Sequence, residues 1–268
     1  MARKVNRAHL EGLVDPKAAR AWPRPNRRRL LILFTPRSGS SWFGDLLRST
    51  GALGNPEEFL NQDINAEVVR RFGARTEIDY LNAVEANTAT PNGVFSMEVI
   101  WGHIELCEID LLGYYRDAHF VYLRRKDILA QAISLLLATQ SGVFHNAGDG
   151  PSRSQADVAE RLVSVEATLA AIRSWWGHLL NYECLAEVQL AIRGIRPLRL
   201  YYEDIVGDPA GTVARVLAHC GVSQEGANPP NSAHQPVRGA LNDELAQLFR
   251  TREAEFVRIM DSFRPPLV

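Results

Sequence analysis

Nowhere in the sequence does an apolar run approach the roughly 20 residues needed to cross a bilayer. Residues 1–29, MARKVNRAHLEGLVDPKAARAWPRPNRRR, are basic but lack the apolar core of a secretory leader, so a cytoplasmic protein is expected. Cysteine is scarce. Cys107, Cys184 and Cys220 are an odd number with no CxxC and no His/Cys pair at ligand spacing, which argues against a disulfide framework and a zinc site and makes buried thiols the expectation. Charge of one sign is also missing: 30 Lys plus Arg stand against 31 Asp plus Glu, a formal −1. Such a balance speaks against a surface organised around nucleic acid, although a local basic cluster can still hold a small anion. The last absence is a spacing. GxxxxGK followed by Ser or Thr does not occur, which removes the signature of a Walker-type kinase or GTPase.

What is present begins with 268 residues that are 46% hydrophobic, enough for one substantial core or a core with a helical insertion. The stretch RLLILFTPRSGSSWFGDLLRSTG, residues 29–51, organises the rest. Leu30 to Thr35 is a near-continuous apolar run, as in a strand buried on both faces, and Pro36 stops its pairing. Ser38, Gly39, Ser40 and Ser41 then form a small polar loop, and Trp42, Phe43, Leu46 and Leu47 follow at helical spacing with Gly51 as a stop. A helix entered through such a loop presents free N–H groups and its positive dipole end above the strand, a setting for an anion. Upstream, Arg24 and Arg27 to Arg29 read as a solvated lead-in.

Further along, Gly54, Asn55 and Pro56 make a turn that puts Glu57 and Glu58 on the rim beside that loop. Residues 64–90 read as two polar-faced helices forming a lid or substrate wall, the second capped by Thr76. VFSMEVIW is a second buried strand containing Glu98, and His103 just beyond it has a side chain suited to general-base work near neutral pH. His119 to Leu123 forms a third strand, with Arg125 at its end, Asp127 opening a broad apolar helix and Ser134 on that helix. Strand parity turns Arg124 away from Arg125, as a solvated neighbour. Residues 141–154, with His145, Asp149 and Arg153, read as a mobile loop, and residues 155–188 as a helix whose Trp175 and Trp176 are core or interface residues. LRLYYEDIVGDP reads as a fourth strand ending in Tyr202-Glu203-Asp204, and Asp208-Pro209 caps the helix that follows. Residues 221–245 are a long loop, and Asn242 and Asp243 start a last helix through Phe256. Strands near 30, 94, 119 and 198 alternating with helices give an α/β fold with a mostly parallel sheet and ligands at its carboxyl ends.

The loop TPRSGSSW resembles the 5′-phosphosulfate loop of sulfotransferases, and RRKDILAQAIS resembles the Arg-x-Asp-x-x-x-Gln-Ala-x-Ser wording of the bacterial trehalose 2-sulfotransferase-like family. The resemblance implies a P-loop-like three-layer sandwich, residues 29–268 as one domain after a basic extension 1–28, and 3′-phosphoadenosine 5′-phosphosulfate (PAPS) as co-substrate with no metal. It implies that Arg37, Ser38, Gly39, Ser40 and Ser41 hold the 5′-phosphosulfate and that Arg125 and Ser134 hold the 3′-phosphate. Arg238-Gly239 is similar to the basic element that folds over that phosphate. Glu58, in a Pro-x-Glu-Phe pattern, matches the family's proposed base, with His103 as the substitute and Arg37 stabilising the departing phosphate. Glu203 is expected to support the phosphate-loop backbone. The partner implied is a small hydroxylated acceptor, a carbohydrate or natural product, with no nucleic acid and with a homodimer left open. One departure stands out: the family has lysine where this chain has Glu98, which inverts the local charge. It keeps a non-catalytic nucleotide-binding protein open beside a P-loop-like small-molecule kinase.

Overall fold

The computed structural model of the chain describes residues 28–61, 74, 76–142, 164–232 and 239–264. In chain order these form β1 (Arg28–Phe34), α1 (Ser40–Ser49), α2 (Glu77–Thr88), β2 (Val94–Ile100), α3 (Trp101–Ile104), α4 (Leu111–Tyr114), β3 (His119–Arg124) and α5 (Ile128–Ser141). After them come α6 (Val165–Ile192), β4 (Leu198–Tyr201), α7 (Tyr202–Gly207), α8 (Pro209–His219), α9 (Ala240–Arg252) and α10 (Ala254–Phe263). The four strands pair in the order β2-β1-β3-β4, all parallel. All four lie where the apolar runs put them, and the fold is the expected α/β sandwich.

Period-2 alternation divides the strand side chains between two cores. Leu31 and Leu33 join Phe95, Met97, Val99, Phe120 and Tyr122 on one face, covered by Tyr80, Leu81 and Val84 of α2 and Ala186 and Leu190 of α6. Leu30, Ile32 and Phe34 join Val121, Leu123 and Leu200 on the other, under Phe43, Leu46 and Leu47 of α1 and Val213, Val216 and Leu217 of α8. Each of the β1 residues Leu30 to Phe34 is buried, a gain of about 1.5–3 kcal/mol per side chain. A third cluster has no sheet at all: α5 and the first half of α6 pack Leu129, Ile133, Leu136, Leu169, Ile172 and Trp176 against Leu245 and Phe249 of α9. The long α6 therefore belongs to two cores.

Caps follow the sequence. Thr76 accepts from Asp79 N at 3.0 Å, Asp127 from Ala130 N at 2.9 Å and Asp208 from Gly211 N at 2.8 Å. Four expectations are corrected. Helix α2 is no lid, because Tyr80, Leu81, Asn82, Val84 and Glu85 are buried against the sheet. Arg29 is not a solvated lead-in: its Nε lies 3.1 and 3.0 Å from the two carboxylate oxygens of buried Glu85. The fourth strand stops at Tyr201, three residues short of Asp204, because Tyr202 already starts a helix. Of the thiols only Cys220 is buried; Cys107 is half-buried and Cys184 exposed on α6. The expected helix within residues 64–75, apart from Ala74, the loop residues His145, Asp149 and Arg153, and Arg238 lie outside the described residues.

Candidate active site

Because the strands are parallel, every strand delivers its following residues to the same edge. Past β1 come residues 35–39, past β2 the short α3 with His103, past β3 Arg125 to Asp127, and past β4 Tyr202 and Glu203.

The loop after β1 owes its shape to two left-handed residues, Arg37 with φ 65° and Gly39 with φ 87°, on either side of Ser38. Alternation of this kind turns successive N–H groups into a concavity suited to an anion. For arginine the conformation costs about 1–2 kcal/mol, so the surroundings must hold it. They do so through Gln131 of α5, whose amide donates to Thr35 Oγ1 at 2.9 Å and to the Pro36 carbonyl at 2.8 Å. Gly39 has a second constraint: a Cβ there would run into the Tyr202 ring, whose Cε2 would be 2.8 Å away.

Three residues singled out for the donor meet here. Arg37 Nε donates to Ser134 Oγ at 3.0 Å, and Arg125 Nη1 reaches the Arg37 carbonyl at 3.4 Å. Arg125 also lies with its Cζ 4.9 Å above the Tyr202 ring and its Nε 3.6 Å from a Glu203 oxygen. Burial first, and the neighbouring Arg125 charge second, push the Arg37 pKa down, which marks a place where two cations are crowded together. An anion would relieve that crowding. The fit extends further, because α1 has no side-chain cap at Gly39 and the buried Ser38 hydroxyl has no hydrogen-bond partner. Nucleotide phosphates suit this donor set.

Glu58 reaches the same rim by another route. Gly54, with φ 81°, passes so close to Ser96 that a Cβ would come within 2.7 Å of its backbone nitrogen, and two residues further on Glu98 N donates to Glu57 O at 2.9 Å. The segment thus climbs along the outer edge of β2 towards its carboxyl end. Glu58 is buried there, and Asn61 Nδ2 donates to its Oε2 at 3.0 Å. Glu57 is half-exposed and paired with Arg48 at 2.6 Å.

Glu98 is the group between the two halves. Its carboxyl is buried, hydrogen-bonded to Ser40 at the start of α1, and close enough to that helix that a side chain at Gly44 would collide with it. Burial pushes its pKa well above the ordinary carboxylate value, and the Glu58 and Glu57 charges push it further. Both causes favour the protonated form of this carboxyl. His103 on α3 is half-buried, and burial lowers its pKa. No hydrogen bond joins it to the Arg37 cluster or to Glu58 among the described residues.

Two readings of neighbouring residues need correction. Arg124 does point away from Arg125, but it is buried, with Nη2 2.6 Å from Glu183 of α6. Glu203 does not support the phosphate-loop backbone; its oxygens accept from Lys126 N at 2.8 Å and Asp127 N at 3.2 Å, so it braces the turn after β3. Tyr202 and Gln131 stood inside the segments read from the sequence, but neither was given its role beside the loop after β1. For Gln131 a signal existed, since it stands three residues before Ser134 and so shares its helix face.

A curated relative named trehalose 2-sulfotransferase, from Mycobacterium tuberculosis (strain ATCC 35801 / TMC 107 / Erdman), is 23% identical over 265 aligned positions, covering 83% of this chain and 94% of its own. Among solved structures, a sulfotransferase from Alicyclobacillus acidocaldarius is 15% identical across 88% of this chain and 97% of its own, with a TM-score of 0.49. The sulfotransferase domain of the Synechococcus PCC 7002 olefin synthase is 14% identical across 93% and 100%, with a TM-score of 0.41. The family model described as Stf0 sulphotransferase matches residues 29–252, from the first strand to the end of α9. The chain belongs to the Stf0 sulphotransferase family.

Proposed function

We propose that the protein transfers a sulfuryl group from PAPS to a hydroxyl of a carbohydrate or small natural product, with residues 29–268 as the catalytic domain. The observation that carries the reading is the meeting of Arg37, Ser134 and Arg125 beside the uncapped start of α1. In it, the α1 N-terminus and Ser38 to Ser41 receive the 5′-phosphosulfate, while Arg125 and Ser134 receive the 3′-phosphate. PAPS supplies the activated sulfuryl group. Glu58 takes the acceptor proton as the hydroxyl oxygen bonds to sulfur. Arg37 and the loop N–H groups stabilise the charge left on the phosphate oxygen as the old sulfur–oxygen bond breaks, a preorganised effect of about 3–4 kcal/mol per donor. The carbohydrate part of the proposal leans on the name of the mycobacterial relative.

The test is a thermal shift with adenosine 3′,5′-bisphosphate, AMP and ATP. A ligand at 100 times its Kd stabilises the native state by about 2.7 kcal/mol, so preferences among the three are readable. The bisphosphate should raise Tm most. A larger response to ATP with Mg²⁺ would remove the reading. Incubation of a hydroxylated metabolite pool with PAPS, followed by mass spectrometry for a gain of one SO₃, then identifies the acceptor.

A further inference from the structure

The turn that carries Arg125 lies beyond the last register pair of the β3–β4 ladder, Arg124 with Tyr201. Its backbone groups must find partners elsewhere. On one side Glu203 accepts from the Lys126 and Asp127 N–H groups at 2.8 and 3.2 Å. On the other side stands Arg264, the residue just after α10. Its guanidinium donates to the Lys126 carbonyl at 2.5 Å and to the Arg125 carbonyl, and at the same time to both oxygens of Glu183 at 3.1 and 2.8 Å. Residues 125–127 are therefore clamped between an arginine on their carbonyls and a carboxylate on their amides.

Arg264 is not a surface residue held by chance. Its side chain is 8% exposed, although no residue within α10 is buried, so the helix is anchored at its far end by this group. Glu183 is 3% exposed and also binds Arg124, so one buried carboxylate ties the strand β3, helix α6 and the C-terminal segment together. Arginine is needed for this. Its planar fork can serve two carbonyls and a carboxylate in one plane, whereas a lysine is a single point of charge. Residue 264 also lies past residue 252, where the family match ends.

We propose that Arg264 is a positioning residue of the donor site, fixing the Arg125–Asp127 turn so that Arg125 meets Arg37 and Ser134 in the geometry that recognises a 3′-phosphate. The inference rests on the donor reading above. Loss of the fork would free the turn and scatter the Arg125 guanidinium, while the loop after β1, held by Gln131, stays in place. The defect should fall on the 3′-phosphate and spare the 5′-phosphate.

The experiment is calorimetric titration of adenosine 3′,5′-bisphosphate and of AMP into the wild type, Arg264→Ala, Arg264→Lys and the exposed control Arg258→Ala, each well below its Tm. Expected is a drop of about tenfold or more in the preference for the bisphosphate in both Arg264 variants, with AMP affinity and the control unchanged. If Arg264→Ala does not fold, Arg264→Lys, which retains a charge beside Glu183, decides alone. Equal losses for the two ligands would show a merely structural residue and overturn the proposal. A wild-type preference that survives the substitutions overturns it too, and leaves the donor reading standing. A wild type that binds both ligands equally removes the donor reading, and the proposal with it.

Discussion

Arg37 and Ser134, 97 positions apart, are joined by a 3.0 Å hydrogen bond from Nε to Oγ, which couples the loop after β1 to the helix after β3. Each was assigned to a different end of the donor, and the contact makes them one surface. Ser134→Ala should therefore weaken adenosine 3′,5′-bisphosphate binding by about 0.5–1.5 kcal/mol, the ordinary worth of one such hydrogen bond. Calorimetry checks it. AMP binding should fall by less, and an equal fall for the two ligands would place Ser134 under the 5′-phosphate instead.

Adjacent arginines on one strand end should separate into binding and stability. Arg125→Ala removes a guanidinium with no ionic partner closer than 3.6 Å among the described residues and should cost about 1.5–3 kcal/mol of bisphosphate affinity with little change in the denaturation midpoint. Arg124→Ala strips a buried partner from Glu183 and should cost about 3–5 kcal/mol of stability, towards the lower figure because Arg264 remains on the same carboxylate. Urea unfolding and titration of both variants measure the two effects. A larger binding loss in Arg124→Ala would reverse the assignment.

This pair also marks how far the sequence could be read. The side of the strand on which Arg124 sits follows from period-2 geometry, and the apolar runs of β1 and β3 from burial on both faces, because those signals are local. That Arg124 is buried depends on Glu183, 59 positions away on a helix whose neighbours give no hint of a partner. Tyr202 was invisible as a packing surface for Gly39 and Arg125 for the same reason. The residues proposed for the donor could be singled out because they cluster in two short windows, each on a strand-loop-helix unit. Glu98 stood out in the sequence by its charge, but its burial against Gly44 and Ser40 depends on tertiary packing that the sequence does not show.

Glu98 provides a test on pH. Its native pKa is raised well above 4.5, chiefly by burial and then by Glu58 and Glu57. Below the pKa of the unfolded side chain both states hold the proton and nothing is lost. As pH rises from about 4.5 towards the native pKa, the unfolded chain releases the proton first, so stability declines, by about 1.4 kcal/mol for each tenfold difference in proton affinity. Gln does not titrate. Glu98→Gln should match the wild type in acid and become progressively more stable than it from about pH 4.5 upward, as read from urea midpoints across pH. A gain of the same size at every pH would show that the native carboxyl is not shifted.

The base remains the sharpest chemical question. An alcohol proton is far too tightly held to be removed before attack at neutral pH, so a base helps only as the oxygen–sulfur bond forms, with a contribution of about 10²–10⁴-fold. Glu58 is the group proposed for this: the Gly54 to Glu57 segment runs along β2 and leaves it buried, close enough to Glu98 for the two carboxyls to interact. His103, half-buried on α3 with its pKa lowered by burial, has no hydrogen bond to either Glu58 or Arg37 among the described residues. Glu58→Gln, which keeps the shape and the hydrogen bond from Asn61 in altered form, should lower turnover by about 10²-fold or more while leaving bisphosphate affinity nearly intact. His103→Ala should change turnover by much less. Single-turnover rates at saturating PAPS, where chemistry is isolated from product release, measure both. Full activity in Glu58→Gln together with its loss in His103→Ala would transfer the role to the histidine, and indifference to both, with the bisphosphate still bound, would mean that the acceptor proton leaves through another group.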